Sequence, residues 1–507
     1  MLKLLKKLSL TQYAIALTVI SLLVRFLSLG LYPLMDTTEA RYGEMARIMF
    51  ETGNWITPMF DYGVPFWGKP PLFSWLSAAG FELFGVNEFA ARAPHVVVGG
   101  LILGLTWFIA SNASPDNKVR KDEAWLTTAI LATSSAFIVI SGSVMTDTAL
   151  TLGITLSMVG FWLSWTKQSK FWGYMFFVGL AIGMLAKGPL TIVLVGISLT
   201  LWLLPDRRWK RIPTCLPWKG GIGIFLLLAL PWYLLAEWKS PGFLNYFIIG
   251  EHVKRFIVSG WEGDLYGTAH RELRGTIWLY WLLAALPWSP VLIYQVVRFF
   301  KAGQEGVVSE QGYFGFLWCW MLSPLILFTF AGNILSSYVM PGLPAFALLV
   351  AGYHSKQQLP EKIFKIGLIT PVLVITAALL LRYDLTGKEA ENVLLGEWAK
   401  QPEASSTQLV YLGRRPFSAQ FYSGGKAKKV TGSLDGILSK GSDLDKDHAL
   451  SKQGDLNKQG ALSEIDKPTF LAIDRSQVPQ DFLWNKSRCE LRAQSKKRDL
   501  VYCQGIE

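Results

Sequence analysis

The chain has 507 residues, of which 51% are hydrophobic and only 17% charged, and its net charge is +12. Soluble proteins of this size carry about a quarter charged residues, so the composition excludes an ordinary soluble protein. The basic residues recur in every second loop between apolar runs, so the charge reflects membrane topology and not nucleic-acid binding.

A basic stretch, Met1–Lys7, precedes the first apolar run, 12–31. That run is too long for a signal peptide and lacks a small-residue cleavage site, so it reads as an uncleaved anchor. A membrane-spanning helix needs about 20 apolar residues because lipid offers the backbone no hydrogen-bond partner. Eleven spans are expected, over 12–31, 94–113, 124–143, 148–166, 171–187, 188–204, 220–237, 276–298, 313–331, 336–353 and 363–382. Lys3, Lys6 and Lys7 precede the first. Basic clusters such as Lys118, Arg120 and Lys121, or Arg207, Arg208, Lys210 and Arg211, follow the even-numbered ones. The positive-inside rule then places the N-terminus in the cytoplasm. It places loops 32–93, 238–275 and 332–335, and the whole tail, outside. Two parts are expected, a membrane domain over 1–382 and a soluble tail over 383–507.

Loop 32–93 is not a polar linker. In MDTTEARYGEMARIMFETG, Ala40, Met45, Ile48 and Met49 fall on one helical face, Asp36 offers an N-cap and Gly53 a stop. Trp55, Phe60, Trp67, Phe73, Trp75 and Phe81 add aromatic weight, and KPPLFSWLSAAGFELFG (69–85) opens with two prolines suited to a helix start. Both segments read as helices on the outer membrane surface. In the tail, 408–413 and 468–474 read as strands, 416–423 as a short helix and 433–466 as a polar, mobile loop. Cys489 and Cys503 flank a basic turn between two strands. A disulfide fits an external tail, with a pair of free thiols as the alternative. Cys215 and Cys319 lie in or near membrane segments and read as inert.

Ionisable side chains at membrane depth cost about 2.5–3.5 kcal/mol each at a helix centre and need a partner or a function. Here they are Asp36, Glu39, Arg41 and Glu44 after span one; Lys69 and Arg92 in the loop; Asp147 and Lys187 at span ends; and Glu251, His252, Lys254 and Arg255 in loop 238–275. All fall on the external side, which suggests one polar cavity at the outer leaflet. A carboxylate there can act as a general base, and Lys or Arg can hold phosphate oxygens. The mixture suits transfer of a group from a lipid-linked phosphate donor, and no Walker or Gly-rich βαβ fingerprint marks a soluble nucleotide site. Each residue also has a plainer reading. Asp36, Glu39 and Asp147 can cap helices, Lys69 can snorkel, His252 can be a surface histidine, and Arg92 and Lys187 can simply neutralise carboxylates.

Motifs separate these readings. YPLMDTTEARYGEMARIM (32–49), GNWITPMFDYGVPFWGKPPLFSWL (53–76) and GVNEFAARAPH (85–95) closely resemble the N-terminal signature of glycosyltransferase family 39. More narrowly they resemble the bacterial 4-amino-4-deoxy-L-arabinose transferases that modify lipid A, relatives of the protein O-mannosyltransferases. MTDTAL (145–150), LAKGPL (185–190), YFIIGEHVKRF (246–256), SSYVMPGLPAFALL (336–349) and RPFSAQFYSGG (415–425) are weaker echoes. The resemblance implies a polytopic α-helical membrane protein of the GT-C type, with about 11–13 transmembrane helices in the bacterial inner membrane and a small C-terminal α/β periplasmic domain. It implies an inverting transfer of sugar from a polyprenyl (undecaprenyl) phosphate to an envelope acceptor such as lipid A or a glycan. Asp36 would be the base, with Glu39 and Asp147 as further catalytic carboxylates. Lys69, Arg41, Arg92, Lys187, Glu251, His252, Arg255 and Tyr338 would bind donor phosphate or substrate. The chain departs from the family at Gly68, where the aminoarabinose transferases usually carry an acidic residue. Some relatives use that carboxylate and the loop histidine to hold a metal, so neither a divalent metal nor aminoarabinose follows from the resemblance alone. A flippase of lipid-linked sugars is the alternative. It predicts paired broken helices and an inverted repeat, and no repeat is evident. A third reading is an assembly protein worked by its tail.

Overall fold

The computed structural model describes residues 9–113, 117–258, 261, 263–266, 272–301, 312–357, 359–386, 390–430, 468–478 and 489–504. The polar segment expected over 433–466 lies outside them. The chain falls into two compact units, residues 1–31 with 49–379, and residues 32–48 with 380–507. The segment 32–48, read above as part of the first external loop, therefore groups with the tail.

The first unit is a multi-pass membrane domain. Among the described residues six unbroken helical stretches are long and apolar enough to span: Leu10–Ser28, Glu88–Asn112, Thr146–Lys167, Trp218–Lys239, Ser336–Gln357 and Glu361–Arg382. Eleven straight spans are not what forms. The expected span over 276–298 is two helices, Thr276–Ala284 and Ser289–Lys301, bent by 103°, and the stretch after Leu190–Leu203 turns by 109°. Pro287 explains the first bend, since it has no N–H to continue the helical ladder. The span over 124–143 stops at Ala132 and resumes as the short helix Ser135–Ile140. At that break the Thr133 and Ser134 hydroxyls donate back to the carbonyls of Ala129 and Ile130, competing with the backbone ladder. The two breaks meet, as the Ser135 N–H donates to Leu286 O at 2.9 Å and its hydroxyl to Leu283 O at 2.6 Å. The expected span over 313–331 is the seventeen-residue helix Tyr313–Thr329.

One close helix pair governs the site. Helices Thr146–Lys167 and Lys170–Lys187 form an antiparallel hairpin around Gln168, whose φ of 51° turns the chain. Glycines let the backbones touch. A Cβ on Gly153 would lie 2.6 Å from Gly183 N, one on Gly179 2.6 Å from Gly153 O, and one on Gly160 2.7 Å from Phe176 N. Close backbone approach through small residues is how helices pack in lipid, where burial of apolar side chains gives little drive. The antiparallel geometry sets Asp147, in the first turn of one helix, beside Lys187, in the last turn of the other.

The second unit is α/β. Short strands Met59–Asp61 (β1) and Val64–Pro65 (β2) pair in the first unit; the tail holds a five-stranded sheet of Gln408–Leu412 (β3), Ala427–Val430 (β4), Thr469–Asp474 (β5), Cys489–Gln494 (β6) and Arg498–Cys503 (β7) in the order β4-β3-β5-β7-β6. β3 runs parallel to β4 and β5, whereas β7 is antiparallel to both its neighbours. Strands β3 and β5 are buried almost throughout, as parallel strands covered on both faces must be. Tyr411, Phe470 and Leu500 face the helices Asn392–Ala399 and Phe417–Tyr422, with Leu394 and Ala419 in the same core. Val410, Leu471, Ile473 and Val501 pack in a second layer. Cys489 and Cys503 stand opposite each other on β6 and β7 and are joined by a disulfide. Segment 32–48 joins this unit through buried Leu34, whose N–H donates to the Tyr422 hydroxyl at 2.8 Å, and through Gly43, packed on Leu34 and close to Phe421.

If the glycine contact sets the hairpin, Gly179→Leu must push the two helices apart. Its expected effect is a loss of several degrees in the unfolding temperature of the detergent-solubilised protein, whereas Gly196→Leu, where a Cβ meets open space, leaves it within about 2 °C.

Candidate active site

The membrane unit gathers most of the expected charges. Glu251, only 2% exposed in its side chain, lies in a π-helical turn over Asn245–Lys254 that follows the helix Trp218–Lys239. A π-turn widens the helix by one residue and recurs at functional sites. Lys69 reaches Glu251 Oε2 at 2.8 Å and Gly68 O at 2.6 Å. Arg255, one turn on from Glu251, donates to both of its oxygens at 2.9 and 3.2 Å and meets Asp264 at 3.4 Å. The Tyr246 hydroxyl adds a bond to Glu251 Oε1 at 3.2 Å. Burial opposes the charge on Glu251, but the Lys69 and Arg255 cations outweigh it and hold its pKa at about 2.

Lys187 forms the second pair, with Nζ 2.7 Å from Asp147 Oδ1 and 4.2 Å from the centre of the Tyr338 ring. Asp147 sits in a first helical turn, yet its carboxylate serves Lys187, and Met145 at the cap position makes no side-chain cap. Tyr338 lies within electrostatic reach of Lys69, Arg255, Asp147 and Glu251. His252 connects the two pairs, since its Nδ1 faces Phe247 O at 2.8 Å and its Nε2 faces Lys187 O at 3.2 Å. Burial holds the imidazole pKa below its ordinary value. Gly188, at φ +73°, lets this contact close, as a Cβ there would sit 2.5 Å from Phe247. With both ring nitrogens aimed at carbonyls and no side chain at Gly68, these residues do not fit a metal of the kind held between a carboxylate and this histidine. Among the described residues no three His, Cys, Asp or Glu side chains converge.

Arg92 is fully buried and donates to Leu29 O at 2.6 Å, at the end of the first span. That contact ties the loop to the bundle, a packing task beside the donor-binding role expected of it. The remaining residues belong to the other unit. Asp36 precedes the helix Thr38–Thr52; Ser418 N–H donates to its Oδ1 at 3.1 Å and the Ser418 hydroxyl donates to Oδ2. Glu39 lies in the first turn of that helix. Arg41 stacks 5.1 Å over Tyr42 and 6.0 Å over Phe417. Glu44 is held by Arg47 through two bonds of 2.7 and 2.8 Å, an internal helix pair. The sequence reading missed Tyr246, Asp264 and Ser418. Tyr246 and Ser418 carried a signal, their places in YFIIGEHVKRF and RPFSAQFYSGG; Asp264 carried none.

Three comparisons bear on this arrangement. Residues 15–247 match the family model for dolichyl-phosphate-mannose-protein mannosyltransferase. An undecaprenyl phosphate-alpha-4-amino-4-deoxy-L-arabinose arabinosyl transferase from Edwardsiella ictaluri (strain 93-146) is 30% identical over 332 residues, covering 63% of this chain and 55% of that protein. The second such transferase of Pseudomonas fluorescens (strain Pf0-1) is 30% identical, covering 65% and 57%. The matches thus span little more than half the length of these curated relatives. The crystal structure of ArnT from Cupriavidus metallidurans bound to undecaprenyl phosphate superposes with a TM-score of 0.75 at 17% identity, covering 97% of this chain and 98% of that one.

The ion pairs make a pH prediction. Because the pKa of Glu251 is depressed from 4.5 to about 2, the pairs stabilise the fold fully above about pH 4.5, and that contribution, on the order of 3 kcal/mol, fades as pH falls towards 2. Unfolding temperatures measured from pH 6 to pH 2 are expected to fall more steeply for the wild type than for Glu251→Gln, which lacks the titrating group and starts lower because Lys69 and Arg255 lose their counter-charge.

In its motifs, in the family model that matches its N-terminal part and in its fold, the chain resembles the glycosyltransferases of family 39 in the GT-C superfamily.

Proposed function

We propose that the protein is an inverting glycosyltransferase that moves a sugar from a polyprenyl phosphate, most simply undecaprenyl phosphate, to a hydroxyl or phosphate of an envelope acceptor such as lipid A or a glycan. The single observation that carries this reading is the Lys69–Glu251–Arg255 group linked through His252 to Lys187–Asp147. A cation already held by a carboxylate stays charged and fixed in a low-dielectric setting. It still has donors for a phosphate: Lys69 spends two N–H bonds on Gly68 and Glu251 and keeps a third. In the reaction the acceptor oxygen attacks the anomeric carbon, the bond to the phosphate oxygen breaks, and polyprenyl phosphate leaves with the electron pair. Lys69, Lys187 and Arg255 offset the charge that grows on that oxygen. Asp36 takes the acceptor proton. The basic loops support a cytoplasmic N-terminus, with transfer and the C-terminal unit on the periplasmic side of the inner membrane. The relatives' names make 4-amino-4-deoxy-L-arabinose the first sugar to try, and Gly68 makes a second, uncharged sugar worth running beside it.

The bent helix pairs are the feature a flippase would also show, so both activities belong in one test. Purified protein is given a radiolabelled polyprenyl-phosphate sugar and candidate acceptors. Transfer is expected, with kcat reduced at least about a hundredfold in Asp36→Asn and in Lys69→Ala. Full activity in both variants contradicts the residue roles, and flipping without transfer contradicts the enzyme.

A further inference from the structure

The second unit contains a buried polar chain that leads to Asp36. Ser418, fully buried, gives Asp36 two bonds, one from its N–H to Oδ1 and one from its hydroxyl to Oδ2. The hydroxyl oxygen in turn accepts the Glu391 N–H at 3.2 Å, so its own proton is committed to Asp36. Glu391 is fixed on both carboxylate oxygens, by the Tyr411 hydroxyl at 3.1 Å and by the Arg498 guanidinium. Glu391, Tyr411 and Arg498 are each at most 7% exposed. A buried ion pair of this kind is costly to desolvate, and a plain apolar core would hold the sheet as well. What it does that an apolar core does not is hold a hydroxyl in one orientation.

We infer that Ser418 is a positioning residue for Asp36, kept in register by the Glu391–Tyr411–Arg498 group. This rests on the reading of Asp36 as the base. A carboxylate tied at each oxygen by one residue cannot rotate about its terminal bond, and the remaining lone pairs keep one direction. Misplacement of a reacting group by an ångström costs on the order of a hundredfold in rate. The serine N–H survives substitution, so the loss from removing the hydroxyl alone is expected to be smaller.

The test uses the full chain, with initial rates of transfer at varied concentrations of the polyprenyl-phosphate sugar donor. Ser418→Ala is expected to lower kcat about tenfold with donor KM within twofold of wild type, and Ser418→Thr, which restores a hydroxyl, to recover most of it. Arg498→Met, which releases Glu391, is expected to lower kcat in the same sense. Asp36→Asn separates the two levels, because asparagine keeps one oxygen that can accept from Ser418 but cannot take a proton. If Asp36→Asn is inactive while Ser418→Ala keeps full kcat, the positioning role is wrong and the base stands. If Asp36→Asn keeps its rate, the base itself is wrong and the inference falls with it. A Ser418→Ala defect that appears in KM alone, or that Ser418→Thr does not relieve, also overturns it.

Discussion

The membrane unit depends on one carboxylate. Glu251 is almost completely shielded from water and would be strongly disfavoured as an anion if it stood alone. Lys69 and Arg255 reverse that balance, and in return Glu251 offsets the cost of holding two partly buried cations. Lys69 comes from the loop after the first span and Glu251 from a turn 182 residues later, so the bond joins two distant parts of the membrane unit. Arg255 is local, one turn from Glu251, and its second contact is with Asp264 of the same loop.

The second pair is positioned by backbone, not by reach. Lys187 and Asp147 face each other because two helices touch at glycines and run antiparallel. His252 and Gly188 then tie this hairpin to the Glu251 turn, with Phe247 packed under the joint. Long flexible lysines lose rotamer entropy when fixed, and the site offsets that with paired carboxylates and an aromatic ring under Lys187. The result is a set of cations, proposed above to hold phosphate, each fixed by a carboxylate of the membrane unit.

The parts of this structure legible in the sequence were those set by local pattern. Apolar runs located most helices, Gly53 ended the helix after Asp36, and the strands at 408–413 and 468–474 and the helix at 416–423 formed within a residue or two of expectation. The cysteines flanking a basic turn came to stand opposite each other because β6 and β7 pair antiparallel, with Cys489 across from Cys503 and a bulge between Leu491 and Ala493. The breaks at 133–134 and 285–288 were harder, since hydropathy sums over a window and does not see that a hydroxyl or a proline has interrupted the ladder inside it. The candidate charges could be named one by one, and the family resemblance pointed to their roles. Their pairing could not, because Lys69 with Glu251, and Asp147 with Lys187, are contacts between distant positions that no periodicity encodes. Asp36 shows the same limit from the other side. Its place before a helix suggested a cap, and only the fold reveals that its donor is Ser418, 382 residues away.

The proposed reaction releases polyprenyl phosphate and inverts the sugar's anomeric centre. Its most direct measurement is the product of the protein reconstituted in liposomes with an anomerically defined polyprenyl-phosphate sugar and an acceptor lipid, followed by nuclear magnetic resonance. One polyprenyl phosphate released per sugar transferred, with the opposite anomeric configuration in the product, is the expected result. Retained configuration, or movement of intact donor between leaflets without release, would contradict it.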